Sequence, residues 1–122
     1  MTTPVAVPYD FDHAGLVNAP YAKPAEELFM NSVRERRYRG YCVEDMKKFE
    51  PVFTFYNKIK NDIYLLYTNC NLLDEKYKNA TLKYLDEFYT TINDPNKIKK
   101  AFGYPCDKKG TGNVVIKGLK ED

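Results

Sequence analysis

The chain has 122 residues, near the usual size of one domain, with 43% hydrophobic and 30% charged residues as in ordinary globular proteins. Its 19 basic and 17 acidic residues are mixed along the chain, so a net charge of +2 argues against nucleic-acid binding. No apolar run approaches the roughly 20 residues that span a bilayer, and the N-terminus lacks a signal-peptide pattern. We expect one soluble domain over residues 1–122 that binds neither nucleic acid nor membrane, with the cytoplasm favoured over the periplasm.

The first 23 residues are predicted to be an extended segment that enters a loop. Val5, Val7 and Tyr9 alternate with Ala6 and Pro8, as in a short strand. Pro24 then suits a first helical turn, and Glu26 and Glu27 suit its positive dipole end. These signals predict a first helix that stops near Gly40.

The centre of the chain predicts an antiparallel helical hairpin. One apolar stripe recurs at helical spacing and comprises Phe49, Val52, Phe53, Tyr56, Ile59, Ile63, Leu66 and Tyr67. A second helix over about 72–92 repeats the pattern with Leu73, Tyr77, Ala80, Tyr84, Leu85, Phe88 and Ile92. The connection between them is short enough to force the two helices antiparallel.

The last third of the chain predicts smaller elements packed on this hairpin. Asp94 as a cap, Pro95 at the first position and Gly103 as a stop indicate a short helix. Residues 107–122 are expected to be a loop, a short strand at Val114–Ile116 and a tail. The predicted fold class is therefore mainly α, with additional short helices and a short extended N-terminal segment.

The three cysteines, Cys42, Cys70 and Cys106, show no metal-ligand spacing, and the lone His13 does not complete a zinc set. We expect them to be reduced packing residues, as is common in a cytosolic protein. Cys42, just beyond the first predicted helix, and Cys70, in the hairpin turn, are the pair expected to meet if oxidised.

Two aspartates carry the clearest chemical signal. Asp10 and Asp12 lie two residues apart in an extended segment, so their side chains share one direction. A loop there can turn both carboxylates toward one Mg²⁺ ion, which takes few protein carboxylates and fills its other positions with water and phosphate. Alternatively, one aspartate caps a turn and the other is solvated, since Asp is common where a strand gives way to a loop.

The stretch "VPYDFDHAGLVNAPYAKP" and the later "SVRERRYRGYC" resemble the C-terminal part of a family of uncharacterised bacterial proteins with longer members. The apolar segment followed by Asp-Phe-Asp is also similar to the metal-binding "DFG" segment of protein-kinase-like phosphotransferases. This similarity implies that Asp10 is the metal-holding aspartate and Asp12 an extra ligand. The other active-site parts of that fold lie upstream of this segment, which implies a C-terminal fragment of a larger protein that is not active alone.

An arginine cluster follows in "RERRYRG", where Arg34, Arg37 and Arg39 are candidates for one face of a phosphate clamp. Alternatively, these side chains pair with nearby glutamates on a solvated helix face. The later "DKKGTGN" has lysines and glycines but lacks the order of a phosphate-binding loop, so we interpret it as a turn.

Two functions from different classes remain. The first is the C-terminal part of a kinase-like phosphotransferase, with Asp10 and Asp12 on Mg²⁺ and Arg34 and Arg37 on phosphate. The second is a non-catalytic helical interaction module. In it, a face of the hairpin or the "GLVNAPYA" loop meets a partner, either the N-terminal part of its own protein or another protein.

Overall fold

The computed structural model describes residues 2–107, and this part of the chain is mainly helical, as predicted. Its α-helices are α1 (Glu50–Lys58), α2 (Lys60–Thr68), α3 (Glu75–Ile92), α4 (Pro95–Phe102) and α5 (Tyr104–Asp107). Two short 3-10 turns occur at Glu26–Leu28 and Met46–Phe49, and residues 2–107 contain no strand. The chain divides into two compact units, whose described parts are residues 2–36 and 37–107.

The first long helix of the predicted hairpin is present, with a break in the middle. Ile59, at φ −93° and ψ 4°, separates α1 from α2. Backbone hydrogen bonds still cross the break, because the Ile59 amide donates to Phe55 O and the Ile63 amide donates to Ile59 O. The predicted helix is therefore correct in extent, and α1 and α2 are its two halves.

The helix α3 runs antiparallel to α1 and α2, which confirms the hairpin. Tyr64 on α2 donates from its hydroxyl to Asp86 on α3 at 2.6 Å. At the other end of the hairpin, the side-chain amides of Asn57 and Asn93 donate to each other through two hydrogen bonds of 2.9 Å. Residues nearer the start of α1 and α2 therefore pair with residues nearer the end of α3, as in an antiparallel pair. The helix starts at Glu75 and not at residue 72, because the Asp74 carboxylate accepts from the amides of the first turn.

The buried face of α3 is rotated from the predicted one. Leu85, Tyr89 and Ile92 are buried, at 7%, 3% and 3% exposure. Toward the N-terminus, however, the buried side chains are Lys78 and Thr81, while Ala80 is exposed. The Lys78 ammonium lies 3.2 Å from the Glu75 carboxylate. The charge of Lys78 is therefore paired, while the aliphatic part of its side chain is buried.

Aromatic side chains form the centre of the second unit. Phe53 on α1 is buried with Tyr89 and Ile92, and Phe49 and Phe102 pack against this cluster. The rings of Phe49 and Phe53 stack at 5.8 Å, and that of Phe102 lies 5.1 Å from Phe49. The helix α4 brings Phe102 to this cluster and begins as predicted, with Asp94 accepting from two first-turn amides and Pro95 at the first position.

The predicted helix over 24–40 is wrong, because its described structure is a single turn at Glu26–Leu28 followed by bends. Phe29 ends the turn in the left-handed region, at φ 51°. In the next residues, side chains bind backbone amides that would bind carbonyl oxygens in a helix. The Glu35 carboxylate accepts from the Asn31 amide, and the Ser32 hydroxyl accepts from the Arg34 amide. Such local bonds compete with helix formation.

The cysteine prediction is also wrong. Cys42 forms a disulfide with Cys106, 64 residues away, with the two Cα atoms 4.7 Å apart, and Cys70 is the free thiol. The expected pairing with Cys70 relied on two neighbouring helix ends. The actual pairing depends on α5, a helix after Gly103 that the sequence analysis did not predict. The strand expected at Val114–Ile116 lies outside the described residues.

Candidate metal loop at Asp10 and Asp12

The two aspartates lie at the start of a tight series of turns in the first unit. The Ala14 amide donates to Phe11 O at 2.9 Å, and the Val17 amide donates to Ala14 O at 3.0 Å. Asp10 adopts φ 61°, a left-handed conformation that side-chain-bearing residues rarely occupy but that Asp tolerates better than most. The backbone therefore turns sharply at Asp10 and does not continue as the straight segment from which the shared direction was predicted.

The carboxyl groups of Asp10 and Asp12 contact each other. A hydrogen bond to Asp12 and the negative charge of Asp12 raise the pKa of Asp10. The same hydrogen bond is the main reason that the pKa of Asp12 is lowered. Two like charges at close range oppose each other, so the pair retains one proton at a pH where a single aspartate has lost its own.

Tyr21 and His13 complete this cluster on the Asp12 side. The Tyr21 hydroxyl donates to Asp12 Oδ2 at 3.2 Å, and this bond is the main cause of the raised pKa of Tyr21. The His13 amide donates to Asp12 Oδ1 at 3.1 Å, and its ring Nε2 lies 3.9 Å from Asp12 Oδ2. Asp12 is thus held by two donors, while Asp10 is held mainly by Asp12.

The donor set partly fits a magnesium ion. Mg²⁺ commonly takes one or two protein carboxylates and keeps several waters, and two adjacent carboxyl oxygens meet that need. Within residues 2–107, no group of three or more His, Cys, Asp or Glu side chains is arranged to hold a metal ion. Any ion bound by Asp10 and Asp12 would therefore depend on water or on a phosphate for most of its coordination.

The structure separates the two arginines of the predicted phosphate clamp between the units. Arg34 belongs to the first unit and donates from Nε to the carbonyl oxygen of Gly15 at 3.1 Å, in the same series of turns that follows the aspartates. Arg37 begins the second unit. Arg34 is therefore tied to the aspartate loop, and the shared clamp stays a prediction.

Sequence reasoning missed Tyr21. It lies nine residues from Asp12, with no periodicity that links the two positions. The turns at 11–18 bring the chain back, so that Tyr21 reaches Asp12 and its ring lies 6.0 Å from that of His13. The available signal was the density of turn-forming residues between them, in "HAGLVNAP", which predicts reversal but not the partner.

Comparison with known proteins identifies no relative: no family model, no curated protein and no solved structure matches this chain. In the described part of the chain, no helix is long and apolar enough to cross a membrane.

Proposed function

We propose that residues 9–21 are the metal-holding loop of a kinase-like phosphotransferase, with Asp10 and Asp12 as ligands of Mg²⁺. The observation that supports this most is the contact between the two carboxyl groups, made at a residue with positive φ. Unusual backbone conformations cost free energy and recur at functional sites. A divalent cation is the partner that would let both carboxylates ionise together.

Each side chain has a distinct role in this proposal. Asp10 and Asp12 supply the two carboxylate ligands, and Tyr21 fixes the orientation of Asp12 through its hydroxyl. When bound, Mg²⁺ supplies charge neutralisation for a phosphoryl group. Arg34, which already contacts the loop at Gly15, would bind that phosphate. The chain alone is expected to be inactive, with the other active-site parts coming from another segment or partner.

The test is a titration of the chain with Mn²⁺, followed by NMR line broadening near residues 9–21. We expect broadening confined to this loop, with an affinity around the millimolar range typical of weak oxygen sites. Asp10→Asn and Asp12→Asn should each reduce the broadening, because each removes one of two charged ligands. Asp62→Asn, at an exposed aspartate on α2, is the matched control and should leave it unchanged.

A second readout follows the proton that the pair shares. Binding of Mg²⁺ should release this proton, so affinity should fall as the pH is lowered toward the raised pKa of Asp10. Broadening that is absent, or equally strong in the parent chain and in both asparagine variants, would contradict the metal site. Inorganic phosphate added with Mn²⁺ then tests Arg34, whose glutamine variant should weaken phosphate binding.

The second candidate is a non-catalytic interaction module, and a different observation favours it. Large apolar side chains stay exposed on α1 and α2, with Leu66 at 72% and Phe55 at 56% exposure. Such side chains are common at partner-binding faces. If the metal titration fails, this function takes precedence. Sedimentation velocity of the parent chain and of Leu66→Ser would then test whether this face drives association.

A further inference from the structure

Residues 39–45 form a strap across the second unit, anchored by the ring of Tyr38 at one end and by the turn that leads to Phe49 at the other. At one end, the ring of Tyr38 lies 5.6 Å from that of Phe49 and 5.5 Å from that of Phe102. The Tyr104 hydroxyl also donates to the carbonyl oxygen of Tyr38. At the other end, Asp45 caps the Met46–Phe49 turn by accepting from the Lys47 amide at 3.0 Å, which leads into the buried cluster.

A cavity of about 310 Å³ lies where this strap faces the end of α4 and the start of α5. Val43, Glu44 and Met46, in and just after the strap, form one wall; the opposite wall includes Lys99, Gly103 and Cys106. The Cys42–Cys106 disulfide therefore joins the two walls directly. The bond that joins the two walls is one that thiols can break and reform.

The two walls differ in how firmly they are held. Gly103 donates to the Lys99 carbonyl at 2.9 Å, and a Cβ built on Gly103 would lie 2.5 Å from that same oxygen, so this wall is closely packed. Pro105, between Gly103 and the disulfide, is buried. In the strap, by contrast, Tyr41 is 71% exposed, and its carbonyl oxygen accepts a hydrogen bond of 3.2 Å from the hydroxyl of Tyr38, three residues earlier in the same segment. A change at the disulfide should therefore move the strap more than α4 or α5.

We propose that the Cys42–Cys106 disulfide is a redox-controlled clamp that holds this cavity at its observed width when oxidised and lets it widen when reduced. Cys42 and Cys106 are both exposed, so a small thiol from solution can reach the disulfide. The free Cys70 is half-buried and is less accessible to the same reagent. Reduction releases the centre of the strap and leaves its two anchors in place. The cavity then widens without unfolding the helical hairpin.

The chemistry is thiol–disulfide exchange with a low-molecular-weight thiol as the reductant. Its thiolate attacks Sγ of Cys106, which lines the cavity; the S–S bond breaks, and Cys42 leaves as a thiolate that takes a proton. A second thiolate attacks the reductant's sulfur in the mixed disulfide and displaces Cys106. Two electrons pass to the protein, which gains two thiols, and two reductant thiols become one disulfide.

The test uses Cys70→Ser protein, in which Cys42 and Cys106 are the two cysteines left, labelled with ¹³C at the methionine methyls and titrated with glutathione redox buffer. Met46 lines the cavity, and Met30, in the first unit, is an internal control. On reduction we expect the Met46 methyl signal and the amide signals of residues 39–46 to shift. The signals of α3 and of Met30 should stay in place, and helical circular dichroism should be unchanged.

A matched pair of variants separates the clamp from an effect of the buffer. Cys42→Ser and Cys106→Ser, each in the Cys70→Ser background, should reproduce the reduced spectrum, and reduced glutathione alone should not shift it further. Unchanged signals from residues 39–46 after reduction would show that the strap does not need the bridge. Loss of the α3 signals together with those of the strap on reduction would show that the disulfide stabilises the whole second unit and does not control the cavity alone. Either result overturns the proposal.

Discussion

At the scale of single residues, two tyrosines of the hairpin, Tyr64 and Tyr89, combine a hydrogen bond from the hydroxyl with a raised pKa. The Tyr64 hydroxyl donates to Asp86 Oδ1 at 2.6 Å, and the Tyr89 hydroxyl donates to Tyr56 O at 2.8 Å. Burial is the first cause of the raised pKa of both phenols, and for Tyr64 the neighbouring carboxylate of Asp86 adds to it. Both hydrogen bonds require the protonated phenol as donor.

We predict that the second unit loses stability in alkaline solution. For a phenol whose pKa is raised on folding, the contribution to stability is complete below the ordinary value near 10. It is lost as the pH rises from there through the raised pKa of the folded state, because the unfolded chain ionises first. Urea midpoints measured at pH 8 and pH 11 should therefore fall with pH.

Tyr64→Phe provides the control for this alkaline effect. It removes the ionising hydroxyl and the bond to Asp86, so the variant should be less stable at pH 8 but lose less stability between pH 8 and pH 11. Tyr41→Phe, at an exposed position, should keep the pH dependence of the parent. Equal losses for the parent and for Tyr64→Phe would mean that other groups, such as lysines, cause the alkaline change.

At the scale of the element, side-chain caps determine where the helices begin. Asp74 and Asp94 each accept from two amides of the turn that follows, and α3 and α4 start at the next residue in both cases. Pro95 made the start of α4 visible in the sequence. No proline follows Asp74, and the apolar Leu72 and Leu73 before it suggested an earlier start.

We predict that Asp74→Ala destabilises the chain by about 1 kcal/mol, the usual cost of losing an N-cap. Asp74 accepts at 2.7 Å from the Lys76 amide and at 3.2 Å from the Tyr77 amide, and alanine leaves both donors to water. Urea denaturation followed by circular dichroism measures the change. Asp74→Ser keeps a capping oxygen and should lose less than Asp74→Ala; equal losses would assign the effect to charge or to chain propensity.

At the scale of the whole molecule, the described core is small and concentrated in one place. Phe53, Tyr89 and Ile92 join the two arms of the hairpin, and Phe102 brings α4 to the same point. Several other apolar side chains of α1 and α2 are exposed, as Val52 is at 50% and Leu65 at 51%. The stability of the second unit should therefore depend on a few positions.

We predict that Phe53→Ala lowers the free energy of unfolding by about 3–5 kcal/mol, because it removes a ring that contacts the rings of both Phe49 and Phe102. Val52→Ala, at the neighbouring position on the same helix, should cost less than about 1 kcal/mol because half of that side chain is exposed. Chemical denaturation of the two variants measures both values. Similar losses would contradict the observed direction of the α1 face.

Local chemistry made a large part of this structure predictable. The hairpin and the α4 cap at Asp94 follow from side-chain spacing and from neighbours a few residues apart. The failed prediction at 24–40 also had a local cause. Helix-start signals at Pro24 and Glu26 were present, but Ser32 and Glu35 offered the backbone other hydrogen bonds.

Features that join distant residues were decided by the tertiary structure alone. The Cys42–Cys106 bridge spans 64 residues and requires α5 to reach the strap, which no local pattern encodes. The burial of Thr81 in place of Ala80 depends on which face of α3 its neighbours cover. Tyr21 reaches Asp12 only because successive turns reverse the chain. Sequence periodicity determines which residues share a face, whereas packing against distant elements determines which face is buried and which side chains meet.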